Sequence, residues 1–276
     1  MPEILARGLR FHIQRLGPWQ REGDAAASAS RGASSPVVVF LHGLVMDNLS
    51  SLYFTLAGPA ADRDDVLLYD LRGHGMSERP AVGYGLAEMV EDLDAVLLAA
   101  GADARPLVLV GNSFGGLLAL AFAAKHPGRA RGVALIDGHL GGSGWAAQMA
   151  ATLGLEGEAR DARIGASFGA WLGRQGERKA TRLARTATAL VHHTSLVRDL
   201  EASGSLTRED LARVTCPVLA LYGASSDLRP EAERASAELP ACDLRILEGC
   251  THSILWEQTD RVRREVLDFI DRVRAV

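Results

Sequence analysis

A series of short, continuous apolar runs, spaced by stretches with helical patterning, restricts this chain more than any other feature. The runs are Val37 to Leu41, Val66 to Tyr69, Leu107 to Val110, Val133 to Ile136, Val218 to Tyr222 and Leu244 to Leu247. A strand with one wet face alternates apolar and polar residues, whereas a continuous apolar run marks a strand covered on both faces, as in a parallel sheet between helix layers. The intervening stretches supply those layers. Leu86 to Ala100 carries Leu86, Met89, Val90, Leu93, Val96 and Leu97 at helical spacing, and Ile254 to Val273 carries Val262, Val266, Phe269, Ile270 and Val273 in the same way. The pattern predicts an α/β fold, a mostly parallel central sheet with helices on both faces.

The remaining segments read differently. Residues 3 to 16 alternate loosely through Ile4, Ala6, Leu9, Phe11 and Ile13 and stop at Gly17-Pro18, which predicts two edge strands. Arg21 to Ser35 is rich in Ala, Ser and Gly without any period and reads as a mobile surface loop. From Gly138 to Val214 the alternation lapses into a long, strand-poor, helix-prone interval. The expected organisation is therefore a core of residues 1–137 and 215–276 with a helical cap, residues 138–214, inserted near the sheet edge where open α/β sheets bind ligands.

A chain of 276 residues, 47% hydrophobic and 23% charged, suits one large domain with such an insertion. Its net charge of -4 and the absence of a polyelectrolyte Lys/Arg block argue against nucleic acid or an acidic membrane as partner. Cys216, Cys242 and Cys250 are odd in number and lack CxxC spacing, so neither a disulfide framework nor a metal site is expected. Met1 to Phe11 is interrupted by Glu3, Arg7 and Arg10, unlike an apolar leader, and a cytoplasmic location is the expectation.

The chemistry concentrates at Gly111-Asn112-Ser113-Phe114-Gly115-Gly116, between the apolar run ending at Val110 and the helical stretch Leu117 to His126. A G-x-S-x-G sequence between strand and helix places the serine on a strained turn that projects its hydroxyl, and small flanking residues avoid collision with the neighbouring strand and helix. The helix that follows aims its N-terminal N–H groups and positive dipole end toward charge developing beside the serine.

With this motif in place, the chain from Val37 to the C-terminus resembles the α/β-hydrolase superfamily. His42-Gly43 follows the first buried run, and Asp70-Leu71-Arg72-Gly73-His74-Gly75-Met76-Ser77 looks like the family's D-x-R-G-x-G-x-S brace. The resemblance implies that Leu44 and Phe114 give backbone N–H groups to an oxyanion hole, with Gly111, Gly115, His42 and Gly43 as structural residues around it. It also implies an order of serine, acid, histidine. His252 in Glu248-Gly249-Cys250-Thr251-His252-Ser253 is then the expected base, and Asp227 in Gly223-Ala224-Ser225-Ser226-Asp227 the expected acid. Asp137, at the end of Val133 to Ile136, competes for the acid role, because that strand end reaches the same histidine in some family members.

The roles follow from acidity. A serine hydroxyl needs a neutral imidazole to take its proton, and with the Asp partner and partial burial nearly offsetting, the activity limb is expected near the ordinary histidine value of ~6.5. The implied function is hydrolysis of a small or medium carboxylic ester, thioester or lactone through an acyl-Ser113 intermediate, with a small-molecule acyl substrate as partner and without cofactor or metal. The Gly-Asn-Ser turn is similar to that of meta-cleavage C–C bond hydrolases, although Ser253 stands where those have Trp. A C–C bond hydrolase, or a non-hydrolytic lyase, cyclase or binding protein on the same fold, is the alternative. Cys250 lacks the turn that presents Ser113. Trp145, Met149, Phe168 and Trp171 are candidates for an acyl pocket or for cap core, and Arg174 to Arg185 reads as a solvated helix face.

Overall fold

The computed structural model describes residues 2–18, 35–45, 47–141 and 186–275, together with 147, 151 and 155. Its strands are β1 (Glu3–Ala6), β2 (Leu9–Leu16), β3 (Val37–Leu41), β4 (Asp65–Tyr69), β5 (Leu107–Asn112), β6 (Ala130–Ile136), β7 (Val218–Gly223) and β8 (Cys242–Leu247). They form one sheet in the order β1-β2-β4-β3-β5-β6-β7-β8. All pairings from β4 onward are parallel, while β1–β2 and β2–β4 are antiparallel.

The continuous apolar runs are explained by what covers them. Val37, Val39 and Leu41 of β3, Leu107 and Leu109 of β5, and Val133 and Leu135 of β6 enter one hydrophobic cluster. The intervening Val38, Phe40, Val108, Val110, Ala134 and Ile136 enter the cluster on the other face. Period-two geometry thus sends alternate residues of each run into two separate cores. Helices α1 (Leu86–Ala99) and α2 (Phe114–Lys125) cover the first face. The other face is covered by the C-terminal helix, by the helical run of Ser50–Leu52, Tyr53–Ala57 and Gly58–Ala61, and by the turn Ile254–Glu257. Between β6 and β7 lie α3 (Leu196–Ala202) and α4 (Arg208–Ala212); α5 (Arg229–Glu238) joins β7 to β8, and α6 (Thr259–Arg274) closes the chain.

The N-terminal expectation needs correction. β1 lies at the sheet edge, but β2 is paired on both sides, with Ile13 opposite Tyr69 and Ile4 opposite Phe11. Phe11 and Ile13 are accordingly buried. The expected loop Arg21 to Ser35 falls, except for Ser35, outside the described residues, as do Trp145, Met149, Phe168, Trp171 and Arg174 to Arg185. Much of the expected cap lies there too. Among the described residues no helix is long and apolar enough to cross a membrane.

Candidate active site

Three strand ends meet at the site. Asn112 of β5 lies opposite Ile136 of β6, and the ladder runs one step further, with the Ser113 N–H donating to Ile136 O at 3.0 Å and the Asp137 N–H to Leu221 O at 2.7 Å. Parallel register therefore sets Ser113 and Asp137 side by side at neighbouring C-terminal ends. His252 arrives on the loop after β8, which pairs with β7 through Gly223 and Leu247.

Ser113 is the turn between β5 and α2, with φ 53 and ψ -117. Its tightness explains the flanking glycines. A Cβ on Gly111 would collide with the backbone of Gly115 and Gly116, and one on Gly115 with the backbone of Leu41 and His42. The turn delivers the hydroxyl to the imidazole, with Ser113 Oγ donating to His252 Nε2 at 3.0 Å. His252 Nδ1 in turn donates to Asp137 Oδ2 at 2.7 Å. A proton on Nδ1 leaves Nε2 as an acceptor, the tautomer that a serine hydroxyl needs.

The acid is thus corrected from the expectation: the carboxylate hydrogen-bonded to His252 is Asp137, not Asp227. Burial explains the difference. Asp137 is fully buried, and its carboxylate is held from two further sides, Gly223 N–H to Oδ1 at 2.8 Å and Ser226 Oγ to Oδ2 at 2.5 Å. Asp227 lies beyond the end of β7 and is exposed. It acts on His252 through its charge, more weakly than Asp137 does.

These charges move the imidazole. Burial is the largest single influence on His252 and opposes protonation, but the Asp137 hydrogen bond and charge, joined by the charges of Asp227 and Glu257, outweigh it and raise the pKa above 6.5. The expectation of a limb near the ordinary histidine value is revised upward accordingly. His139, whose ring centroid is 6.1 Å from that of His252, is driven the other way, to about 3, by burial and then by the neighbouring His252 charge.

The loop after β3 carries Leu44, and α2 begins with Phe114; both side chains are buried. His42 Nδ1 donates to Gly43 O at 2.6 Å, and His42 Nε2 accepts from the Leu71 N–H at 3.0 Å. His74 Nε2 accepts from the Val45 N–H at 2.7 Å, and burial followed by the His42 charge lowers its pKa to about 3, keeping it an acceptor. The brace centres on Asp70, whose carboxylate accepts from the N–H groups of Leu49 and Met76 and from His12 Nδ1. Within the same loop, Arg72 pairs with Asp92 at 2.5 and 2.6 Å. The non-glycine residues with positive φ among those described are Arg7, Val45, Ser113 and Asp137, so the last three gather strained backbone around the site.

Sequence reasoning missed Ser226 and Asp47. Ser226 adjoins the expected acid, but no residue pattern reveals a hydroxyl aimed at a carboxylate on another strand. Asp47 is linked to the turn through Asn112, whose Nδ2 donates to Asp47 Oδ2 at 3.3 Å. Among the described residues no group of three or more His, Cys, Asp or Glu could hold a metal ion.

A parallel sheet with a serine at such a turn, a histidine after the last strand and a carboxylate bonded to that histidine defines a class, and the comparisons agree: residues 38–265 match the model of the alpha/beta hydrolase family, to which the chain belongs. Its relatives differ in what they act on. The 2-(acetamidomethylene)succinate hydrolase of Mesorhizobium japonicum is 33% identical over 117 residues, 42% of this chain and 40% of that protein. The 2-hydroxymuconate semialdehyde hydrolase of Pseudomonas putida is 49% identical over 72 residues, 26% of this chain and 25% of that protein. The matched stretches thus span well under half of these relatives' length. In solved structures, the enol-lactonase from Burkholderia xenovorans LB400 superposes with a TM-score of 0.73 at 23% identity, covering 98% of this chain and 100% of that one.

Proposed function

We propose that the chain is a serine hydrolase that cleaves a small or medium carboxylic ester, thioester or lactone through an acyl-Ser113 intermediate. The observation that carries this reading is the hydrogen-bonded row from Ser113 Oγ through the His252 ring to Asp137 Oδ2. In the first half-reaction the Ser113 oxygen attacks the acyl carbon while His252 Nε2 takes its proton, and the same proton passes to the leaving oxygen or sulfur as the tetrahedral intermediate collapses. Water then attacks the acyl-enzyme, His252 takes a water proton, and the Ser113 oxygen recovers it on release of the acid. Asp137 holds the tautomer and stabilises the imidazolium in both halves. The Leu44 and Phe114 N–H groups serve as oxyanion donors, each worth roughly 3 kcal/mol of transition-state stabilisation. The expected setting is cytoplasmic.

A second reading, C–C bond hydrolysis, is favoured by the Gly-Asn-Ser turn and by the 49% identical stretch shared with the 2-hydroxymuconate semialdehyde hydrolase. The experiment is a panel of p-nitrophenyl esters, acyl thioesters, lactones and a vinylogous 1,5-diketone, assayed with wild type and Ser113→Ala. Turnover of an acyl substrate that vanishes in the variant supports the first reading. Undiminished turnover in the pure variant refutes it, and turnover confined to the diketone moves the chain to the second.

A further inference from the structure

We infer that Asp47 is a positioning residue that fastens the loop bearing the Leu44 N–H to the turn bearing Ser113. This rests on the acyl-transfer reading above, in which that N–H meets the oxyanion. One carboxylate gathers donors from both sides. Asp47 Oδ2 accepts from the Gly43 N–H at 2.9 Å and from Asn112 Nδ2 at 3.3 Å. Its Oδ1 accepts from the Asn48 N–H at 2.8 Å and from the Ser51 hydroxyl.

The convergence is close. A Cβ built on Gly43 would stand 3.3 Å from Asp47 Oδ2, 3.4 Å from Ser113 Cβ and 3.7 Å from Asn112 Nδ2. The carboxylate, the asparagine and the nucleophile therefore surround a single Cα. Peptide planarity gives the arrangement its consequence. The Gly43 carbonyl and the Leu44 N–H belong to one planar unit and point in opposite directions, so the His42 bond to Gly43 O also aims the Leu44 N–H. Rotation of that unit about Gly43 is opposed on its other side by Asp47, through the Gly43 N–H. Beyond it, the Val45 N–H is tied to His74. The peptide that presents the Leu44 N–H is thus pinned at its own carbonyl and at both neighbouring amides. Asp47 joins it by hydrogen bond to the serine turn through Asn112, and this gives position 112 a reason to be an amide: its NH2 donates where a carboxylate would repel.

An Asn at position 47 keeps the shape but has one acceptor oxygen for donors that now face two. We expect Asp47→Asn to lower kcat on a p-nitrophenyl ester about 10- to 100-fold, with KM within about threefold, because oxyanion donors act on the transition state and small misplacements are costly. Affinity for an alkyl boronic acid, which mimics the tetrahedral adduct, should fall by a comparable factor. Asp47→Ala should go further in the same direction. Asn112→Ala added to Asp47→Asn should cost no more than about threefold beyond the single substitution, since both cut the same link. A lowered Tm with wild-type kcat per titrated site and unchanged boronate affinity overturns the inference. If the wild type turns over no acyl substrate, the acyl-transfer reading fails by itself. Amide hydrogen exchange at residues 43–45 then decides the loop role: at least tenfold faster exchange in Asp47→Asn supports it, and unchanged exchange overturns it.

Discussion

Replacing Asp137 by Asn separates the two candidate acids, Asp137 and Asp227. The side chain is fully buried and meets three donors: Gly223 N–H, Ser226 Oγ–H and His252 Nδ1–H. An amide has one acceptor oxygen, so at least one donor must face an NH2, at a cost of about 1–3 kcal/mol in stability. If the NH2 faces His252, Nδ1 becomes an acceptor, the proton moves to Nε2, and the Ser113 hydroxyl loses its base. The equivalent change in a serine protease lowers turnover about 10⁴-fold, which corresponds to roughly 5 kcal/mol of barrier. We expect Asp137→Asn to lower kcat/KM about 10³- to 10⁴-fold. Asp227→Asn, at an exposed position whose charge acts on His252 more weakly than that of Asp137, should change kcat/KM less than about tenfold. The assay is ester hydrolysis by both variants, with circular dichroism melting to establish that each is folded. A folded Asp137→Asn enzyme within tenfold of wild type, beside an inactive Asp227→Asn enzyme, would refute the assignment and restore the acid expected from the sequence.

Two further outcomes follow from protonation. His252 must be neutral to accept the Ser113 proton, and its pKa is raised, so kcat/KM should fall as pH drops through a midpoint above 6.5; Asp227→Asn should move that midpoint down. A pH–rate titration of both proteins checks this, and a wild-type midpoint below 6.5 contradicts it. Burial, with a smaller charge effect at Cys242, pushes the Cys216 and Cys242 thiols up to about 11, and burial followed by the Glu257 charge also raises that of Cys250. Iodoacetamide at pH 7 should accordingly leave ester turnover intact over an hour; rapid inactivation protected by substrate would point to a thiol at the site.

The sheet was legible because its strands are covered on both faces and so advertise themselves as unbroken apolar runs. The run Val37 to Leu41 matches β3 residue for residue. The serine turn was legible because its glycines answer a purely local crowding. Pairing across the sheet leaves weaker traces. The alternation in residues 3–16 marks strands but says nothing of whether β2 has one neighbour or two. The acid was misplaced for a related reason: Asp137 and Asp227 both follow strands, and what separates them is burial, which depends on Gly223 and Ser226 closing over Asp137 from another part of the chain. Asp47 carries no motif because its donors are spread from Gly43 to Asn112.

Val45, Ser113 and Asp137 share one property that bears on how this chain tolerates change. Each holds a side chain at a backbone angle that suits glycine better, at a cost of order 1–3 kcal/mol per residue that the rest of the fold must offset. A laboratory search for heat resistance alone would gain by relaxing position 113 to glycine, whereas Val45 is packed in the core and Asp137 satisfies three donors, so those side chains offset their own strain. The variant so obtained would be sturdier and would have given up the hydroxyl on which the proposed chemistry turns.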